Sequence, residues 1–190
     1  MAAPRNDNVS KLILDATAKL LKEKSIAEIS LAEIAQTAKV SKGTIYYYYK
    51  NKEDILFAVM DIYLETQWQN LISWTNDASK DTSLPRLIKY IIERDTTGND
   101  MRIQFIHDAI SGNKIIRKKL LNRYKKFEHE ISEKIAERTD AVSSDYLAWL
   151  LLMLADGITI HKLIGNTSIN TTAFIKETED FVKKILSEAS

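Results

Sequence analysis

Apolar residues in this chain recur every three to four positions, and no stretch of useful length alternates apolar with polar as a half-buried strand would. That period restricts the chain to an all-α class. Among 190 residues there are only five Gly and two Pro, so helix breakers are scarce, and 45% of the residues are hydrophobic, enough for a core. The pattern predicts about nine helices. The first covers about residues 9–24, with Ile13, Ala16, Leu20 and Leu21 on one face. Ser30-Leu31-Ala32-Glu33 has the form of a capping box and opens a short second helix that ends near Ala38. Ser41 is the N-cap expected for a third helix running to about Tyr49, and Asn51 for a long fourth that reaches the mid-70s. Turn-rich clusters at 76–83, 96–99, 111–113, 139–144 and 165–170 separate five further helical segments.

Several function classes are closed off. With no cysteine there is neither a disulfide, a thiolate metal site nor cysteine catalysis. His107-Asp108 and Glu128-His129-Glu130 lack metal-ligand spacing, and no Gly-rich phosphate loop, nucleophile elbow or helix-spaced histidine pair occurs. No metal, no cofactor and no enzyme activity is therefore expected. The N-terminus lacks the apolar core of a signal peptide, and the longest apolar run, Tyr146 to Ala155, is about half of what a membrane span requires. The expectation is a cytoplasmic protein with no membrane partner.

Charge is unevenly placed. Residues 1–52 carry nine Lys and Arg against five Asp and Glu, whereas residues 53–190 carry eighteen against twenty-one. A basic module on a mildly acidic body points the module, and not the body, toward a polyanion.

The stretch from Ser30 to Lys52 gives that module a form. Two short helices joined by about three residues make a helix-turn-helix, with Ile34, Ala35, Val40 and Ile45 available for its small core. The second helix exposes Lys42, Thr44, Tyr47 and Tyr48, and Gly43 in its first turn lets a nucleic-acid backbone come close. Lys50 and Lys52 stand where they reach flanking phosphates. A trihelical core that binds nothing is the alternative, but one helix cannot bury four adjacent tyrosines, and aromatics exposed beside lysines call for a partner.

Val40-Ser41-Lys42-Gly43-Thr44-Ile45-Tyr46 followed by Lys50-Asn51-Lys52-Glu53, within a run from Ile13 to Ile55, resembles the N-terminal domain of the Tet repressor family of bacterial regulators. The resemblance covers about a quarter of the chain. It implies that Lys42, Gly43, Thr44, Tyr47 and Tyr48 face the groove, that Tyr46 and Lys52 hold phosphates, and that Ile45 and Tyr49 pack inward. Three positions depart from the family pattern: Ser25 stands at a helix-ending Gly, Lys39 at the turn Gly, and Tyr49 at a common Phe. A positive φ at Lys39 would cost on the order of 1 kcal/mol, and its ammonium could recover some of that at a phosphate.

In the body, Ile55, Leu56, Val59, Met60, Tyr63, Leu64, Leu71 and Trp74 form one broad apolar arc on the fourth helix, with Gln67 near its middle and Asn70 inside it. Gln67 is either a satisfied core amide or a ligand contact. Tyr63, Gln67 and Trp74, with Phe105 and Trp149 as opposing walls, are the residues expected to bind a small organic effector. The eighth helix is apolar almost all round between Tyr146 and Ala155, and the last carries a stripe of its own. Leu150, Leu154, Gly157, His161, Phe174 and Phe181 are accordingly expected at a homodimer interface, the alternative being a buried central helix in a monomer. Asp156, set among apolar neighbours, requires a partner.

The expected organisation is a helix-turn-helix DNA-binding domain over 1–52, its motif at about 30–49, and a helical effector-binding and dimerisation domain over 53–190. The family resemblance implies a sequence-specific regulator on double-stranded DNA with a near-palindromic operator, a repressor released by its effector. A chromosome-organising DNA-binding protein without an effector is the rival reading.

Overall fold

The structure is a computed structural model that describes residues 7–95 and 100–188, so the turn expected at 96–99 lies outside the described residues. Within them the chain forms nine helices and no strand: α1 (Asp7–Leu20), α2 (Leu31–Ala38), α3 (Lys42–Tyr48), α4 (Lys52–Thr75), α5 (Leu84–Asp95), α6 (Asp100–Ile110), α7 (Lys114–Ala136), α8 (Ser144–Leu163) and α9 (Thr171–Glu188). Caps account for the boundaries. Before α4, Asn51 Oδ1 accepts from the Asp54 N–H at 2.8 Å, and Ser143 Oγ accepts from Tyr146 at the head of α8. α1 ends at Leu20, four residues short of the expected end, and continues as turns.

The described residues divide into two compact units, those within Met1–Thr66 and Asp100–Lys118, and those within Gln67–Asn99 and Lys119–Ser190. This packing division differs from the functional boundary expected at residue 52. α4 gives Lys52–Thr66 to the first unit and Gln67–Thr75 to the second, and the first unit also takes in α6 and the head of α7.

In the first unit α1 packs on α2 and α2 on α3. Ile13, Leu21, Ile34, Ile45, Ile55, Met60 and Phe105 are fully enclosed, and small Ala35 and Ala38 of α2 are buried. Each enclosed aliphatic contributes roughly 1.5–3 kcal/mol against the entropy of ordering so short a motif. The α2 capping box is formed in both directions. Glu33 N–H donates to Ser30 Oγ at 3.2 Å, and Ser30 N–H donates to Glu33 Oε2 at 3.0 Å.

Lys24 Nζ lies 2.5 Å from Glu33 Oε1. This hydrogen bond, with those from the Ser30 N–H and hydroxyl, lowers the Glu33 carboxyl from 4.5 to about 2. A carboxyl depressed on folding stabilises the native state above its unfolded value, and the contribution is lost as pH falls through the folded one. Wild type is therefore expected to exceed Glu33→Gln in melting temperature at pH 6, with the gap closing between pH 4.5 and 2. Thermal melts across that range check it, and a gap independent of pH would remove Glu33 as the cause.

The second unit is organised around α5, which packs against both α8 and α9. Leu87, Ile88, Ile91 and Ile92 of α5 are buried in a cluster with Phe127, Ile131, Leu151, Leu152, Ile175 and Val182. Arg138 closes the end of α7, its Nε donating to Thr82 O at 2.7 Å and its Nη1 to Lys134 O at 2.6 Å. α8 is the one described helix long and apolar enough to cross a membrane by composition, but its Leu147, Ala148, Leu151, Leu152, Ala155 and Ile158 are buried in this unit's core. Core packing accounts for that half of its apolar surface. Asp156 finds its partner in Tyr124, whose hydroxyl donates to Oδ2 at 2.7 Å.

Candidate nucleic-acid interface

The turn between α2 and α3 is set by Lys39, the one non-glycine described residue with positive φ, at φ 57° and ψ 39°. Its N–H donates to Gln36 O at 3.2 Å and that of Val40 to Ala35 O at 3.0 Å. This is the pairing of a left-handed helix stop, which glycine adopts without strain. Replacing Lys39 with Gly is expected to stabilise the chain by up to about 1 kcal/mol in urea unfolding. If the ammonium sits on a phosphate, the same change should flatten the salt dependence of DNA binding by about one unit. An unchanged slope would confine Lys39 to the turn.

Ser41 then caps α3, its Oγ accepting from the Thr44 N–H at 3.0 Å and lying 2.8 Å from Thr44 Oγ1. With Ile45 fully buried, the register of α3 is fixed. Lys42, Gly43, Tyr46 and Tyr47 are consequently exposed, the two rings by 58% and 44%. Tyr48 is half-buried and meets Tyr47 edge to face at 5.1 Å, and Thr44 is half-buried too. Tyr49 turns inward, its hydroxyl 2.8 Å from Ser10 Oγ, which gives the extra oxygen a polar neighbour where a Phe would need none. Lys39 and Lys50 are exposed.

Lys52 is placed otherwise than expected. Its ammonium donates to Ile26 O at 2.9 Å and Ile29 O at 3.0 Å, carbonyls of the α1–α2 loop. Two of its three N–H groups are thus committed inside the unit, and one is left for a phosphate. Sequence spacing could not show this, since the acceptors lie 26 and 23 residues away. Another long-range pin was missed for the same reason. Gln104 of α6 donates through Nε2 to Leu21 O at 2.7 Å and Lys24 O at 3.1 Å.

The five effector candidates are divided between the units. In the first, Tyr63 is half-buried and Phe105 fully enclosed. In the second, Gln67 is half-buried and has an interaction partner within the chain. Trp74 stacks on Tyr90 at 4.3 Å, and Trp149 is 36% exposed on α8. Asn70 is exposed rather than inside the arc, its carbonyl accepting from the Tyr90 hydroxyl at 3.0 Å.

Four of the six interface candidates share one feature of the second unit. Leu150, Leu154, Phe174 and Phe181 line an apolar groove of about 530 Å³ formed by α8 and α9. Tyr146, Met153, Ile160 and Ile164 extend an exposed apolar stripe along α8, at 69%, 65%, 47% and 68%. A Cβ added to Gly157 would meet nothing within 4 Å, so its small size serves no packing within the chain. His161 is exposed, its Nδ1 2.9 Å from Asn166 Nδ2.

Residues 13–59 match the family described as bacterial regulatory proteins, tetR family. The HTH-type transcriptional regulator YdeS of Bacillus subtilis is 34% identical over 97 residues, which are 50% of this chain and 48% of YdeS. EthR of Mycolicibacterium smegmatis is 37% identical over 60 residues, 32% of this chain and 28% of EthR. These matches thus reach about half the length of the first relative and less of the second. Over the body the likeness is one of fold. A protein of Saccharomonospora viridis solved in complex with choline superposes with a TM-score of 0.80 at 19% identity, covering 94% of this chain and 97% of that one.

Proposed function

Because the chain belongs to the Tet repressor family through its N-terminal domain, we propose that it is a DNA-binding transcriptional regulator that pairs as a homodimer on a near-palindromic operator. The observation that carries this is the division of α3. Ile45 is wholly enclosed, while Lys42, Gly43, Tyr46 and Tyr47 stand on the exposed side of a helix whose register it fixes. A recognition helix needs that arrangement, with apolar anchors behind and cations and hydrogen-bonding rings in front. In the paired state two such helices lie about 34–36 Å apart, one turn of duplex.

The second unit supplies the pairing surface through α8 and α9 and, in this reading, an effector response. The Saccharomonospora protein holds choline. For this chain the ligand candidates are Gln67, Trp74 and Trp149 in the second unit and Tyr63 and Phe105 in the first. Binding then represses transcription, and effector binding releases the operator. A differential affinity of about a hundredfold between bound and released settings corresponds to roughly 2.7 kcal/mol, enough to empty an operator held at moderate affinity. A bacterial cytoplasm is the compartment this role requires.

Selection of bound duplexes from a random pool tests the proposal. A motif with two-fold symmetry should be enriched, and Tyr47→Ala should weaken binding to it more than to random duplex. Enrichment of no motif, with uniform binding throughout, would instead establish a chromosome-coating protein.

A further inference from the structure

The first compact unit also contains a cleft of about 640 Å³, bounded by the α1–α2 loop at Ser25 to Ala27, the first turns of α4, α6 and the turn that follows it. Gln104 lines it. Both hydrogens of this amide are given to backbone carbonyls, those of Leu21 and Lys24. Those acceptors fix its orientation, since the flipped amide would set its oxygen against two other oxygens. Gln104 Oε1 is left buried with no hydrogen-bond partner among the described residues. A buried acceptor in that condition takes its donor from a water or a bound group.

The rest of the lining shows which kind of donor. Glu53 and Asp108 bring two carboxyl groups to the cleft. Glu53 is exposed and forms no ion pair among the described residues, and Asp108 has one oxygen, Oδ2, occupied by Asn113 Nδ2 at 2.8 Å. Lys52 is the one ammonium on the wall, and two of its donors are turned onto Ile26 O and Ile29 O. The rest of the wall is shared between the aliphatic Ile26, Ala27, Leu56 and Ile103 and the polar Ser25, His107, Ser111 and Asn113. Free acceptors, negative charge and a hydrocarbon surface together select an ammonium group on an aliphatic body.

We propose that this cleft binds a small aliphatic amine in its charged form. Its N–H groups donate to Gln104 Oε1 and to the Glu53 and Asp108 carboxylates, and its chain lies on Leu56 and Ile103. The site lies wholly within the first unit, and none of the five effector candidates is among its lining residues. It does not depend on the operator reading.

The test uses the full chain without DNA. Isothermal titration with hexylammonium and with 1,5-diaminopentane at pH 7 should give saturable binding, and hexanoate, with the same body and opposite charge, should give none. Glu53→Gln, at an exposed position, should keep the wild-type melting temperature and weaken binding by about tenfold, the usual scale for losing one charge-assisted hydrogen bond. In a proton–nitrogen correlation spectrum, titration should move the Gln104 side-chain amide pair. Absence of binding, equal binding of hexanoate, or an unchanged affinity in Glu53→Gln with an unmoved Gln104 amide would each overturn the assignment.

Discussion

Glutamate in place of Gly43 is expected to lower operator affinity by about a hundredfold, roughly 2.7 kcal/mol, without unfolding the chain. Gly43 is exposed, its φ is not positive, and a Cβ placed on it would meet nothing closer than Ser41 Oγ at 3.6 Å. Nothing within the fold requires glycine there. The missing side chain therefore matters for what docks against α3, and a carboxylate at that point both blocks approach and repels phosphate. Helix propensity favours the substituted form by about 0.5–1 kcal/mol, so the melting temperature should hold or rise. Fluorescence anisotropy on labelled operator, beside a thermal melt, reads both effects. Retained affinity in a folded variant would place the first turn of α3 away from the duplex.

The second large effect is expected at α8 and α9. Met153 and Phe181 are 65% and 63% exposed in the single chain, so charging them leaves its own core intact. In a pair closed over the α8 stripe and the groove beside it, each aspartate would sit in an apolar interface, where an unpaired carboxylate costs several kcal/mol. Met153→Asp with Phe181→Asp should raise the dimer dissociation constant by about a thousandfold, or roughly 4.1 kcal/mol. Sedimentation at micromolar concentration should then show a monomer, and operator affinity should fall with it because one half-site contact replaces two. A variant that still sediments as a dimer would move the interface elsewhere.

What local rules govern was legible in the sequence. The nine helices, the Ser30–Glu33 box and the Ser41 and Asn51 caps all follow from interactions within a turn or two of chain, whereas the left-handed residue at Lys39 was suggested by the family's turn Gly at that position. The family signature added which face of α3 looks outward, and the enclosed Ile45 agrees with it. Long-range contacts were not legible. Nothing near Lys52 announces that two of its donors serve Ile26 and Ile29, nothing near Gln104 points to Leu21, and nothing near Asp156 points to Tyr124. A helical wheel places Gln67 and Asn70 on the α4 arc, but it cannot tell which neighbours cover that arc. Asn70 proved exposed, and the effector candidates fell into two units. Packing divides α4 itself between the two units, at a point where composition shows no break.

The first unit is assembled from two separated stretches of chain, and this has a consequence for its birth on the ribosome. Met1–Thr66 is synthesised before Asp100–Lys118, and at about 5–20 residues per second the gap lasts about 2–7 s. Throughout that interval the nascent head lacks α6. Phe105, fully enclosed in the finished unit, has not been made, and the Leu21 and Lys24 carbonyls that Gln104 will engage remain hydrated. The helix-turn-helix, although complete in covalent terms by residue 52, reaches its final packing only after part of the second unit has been synthesised. A unit built this way withholds its final packing until more than half of the chain exists.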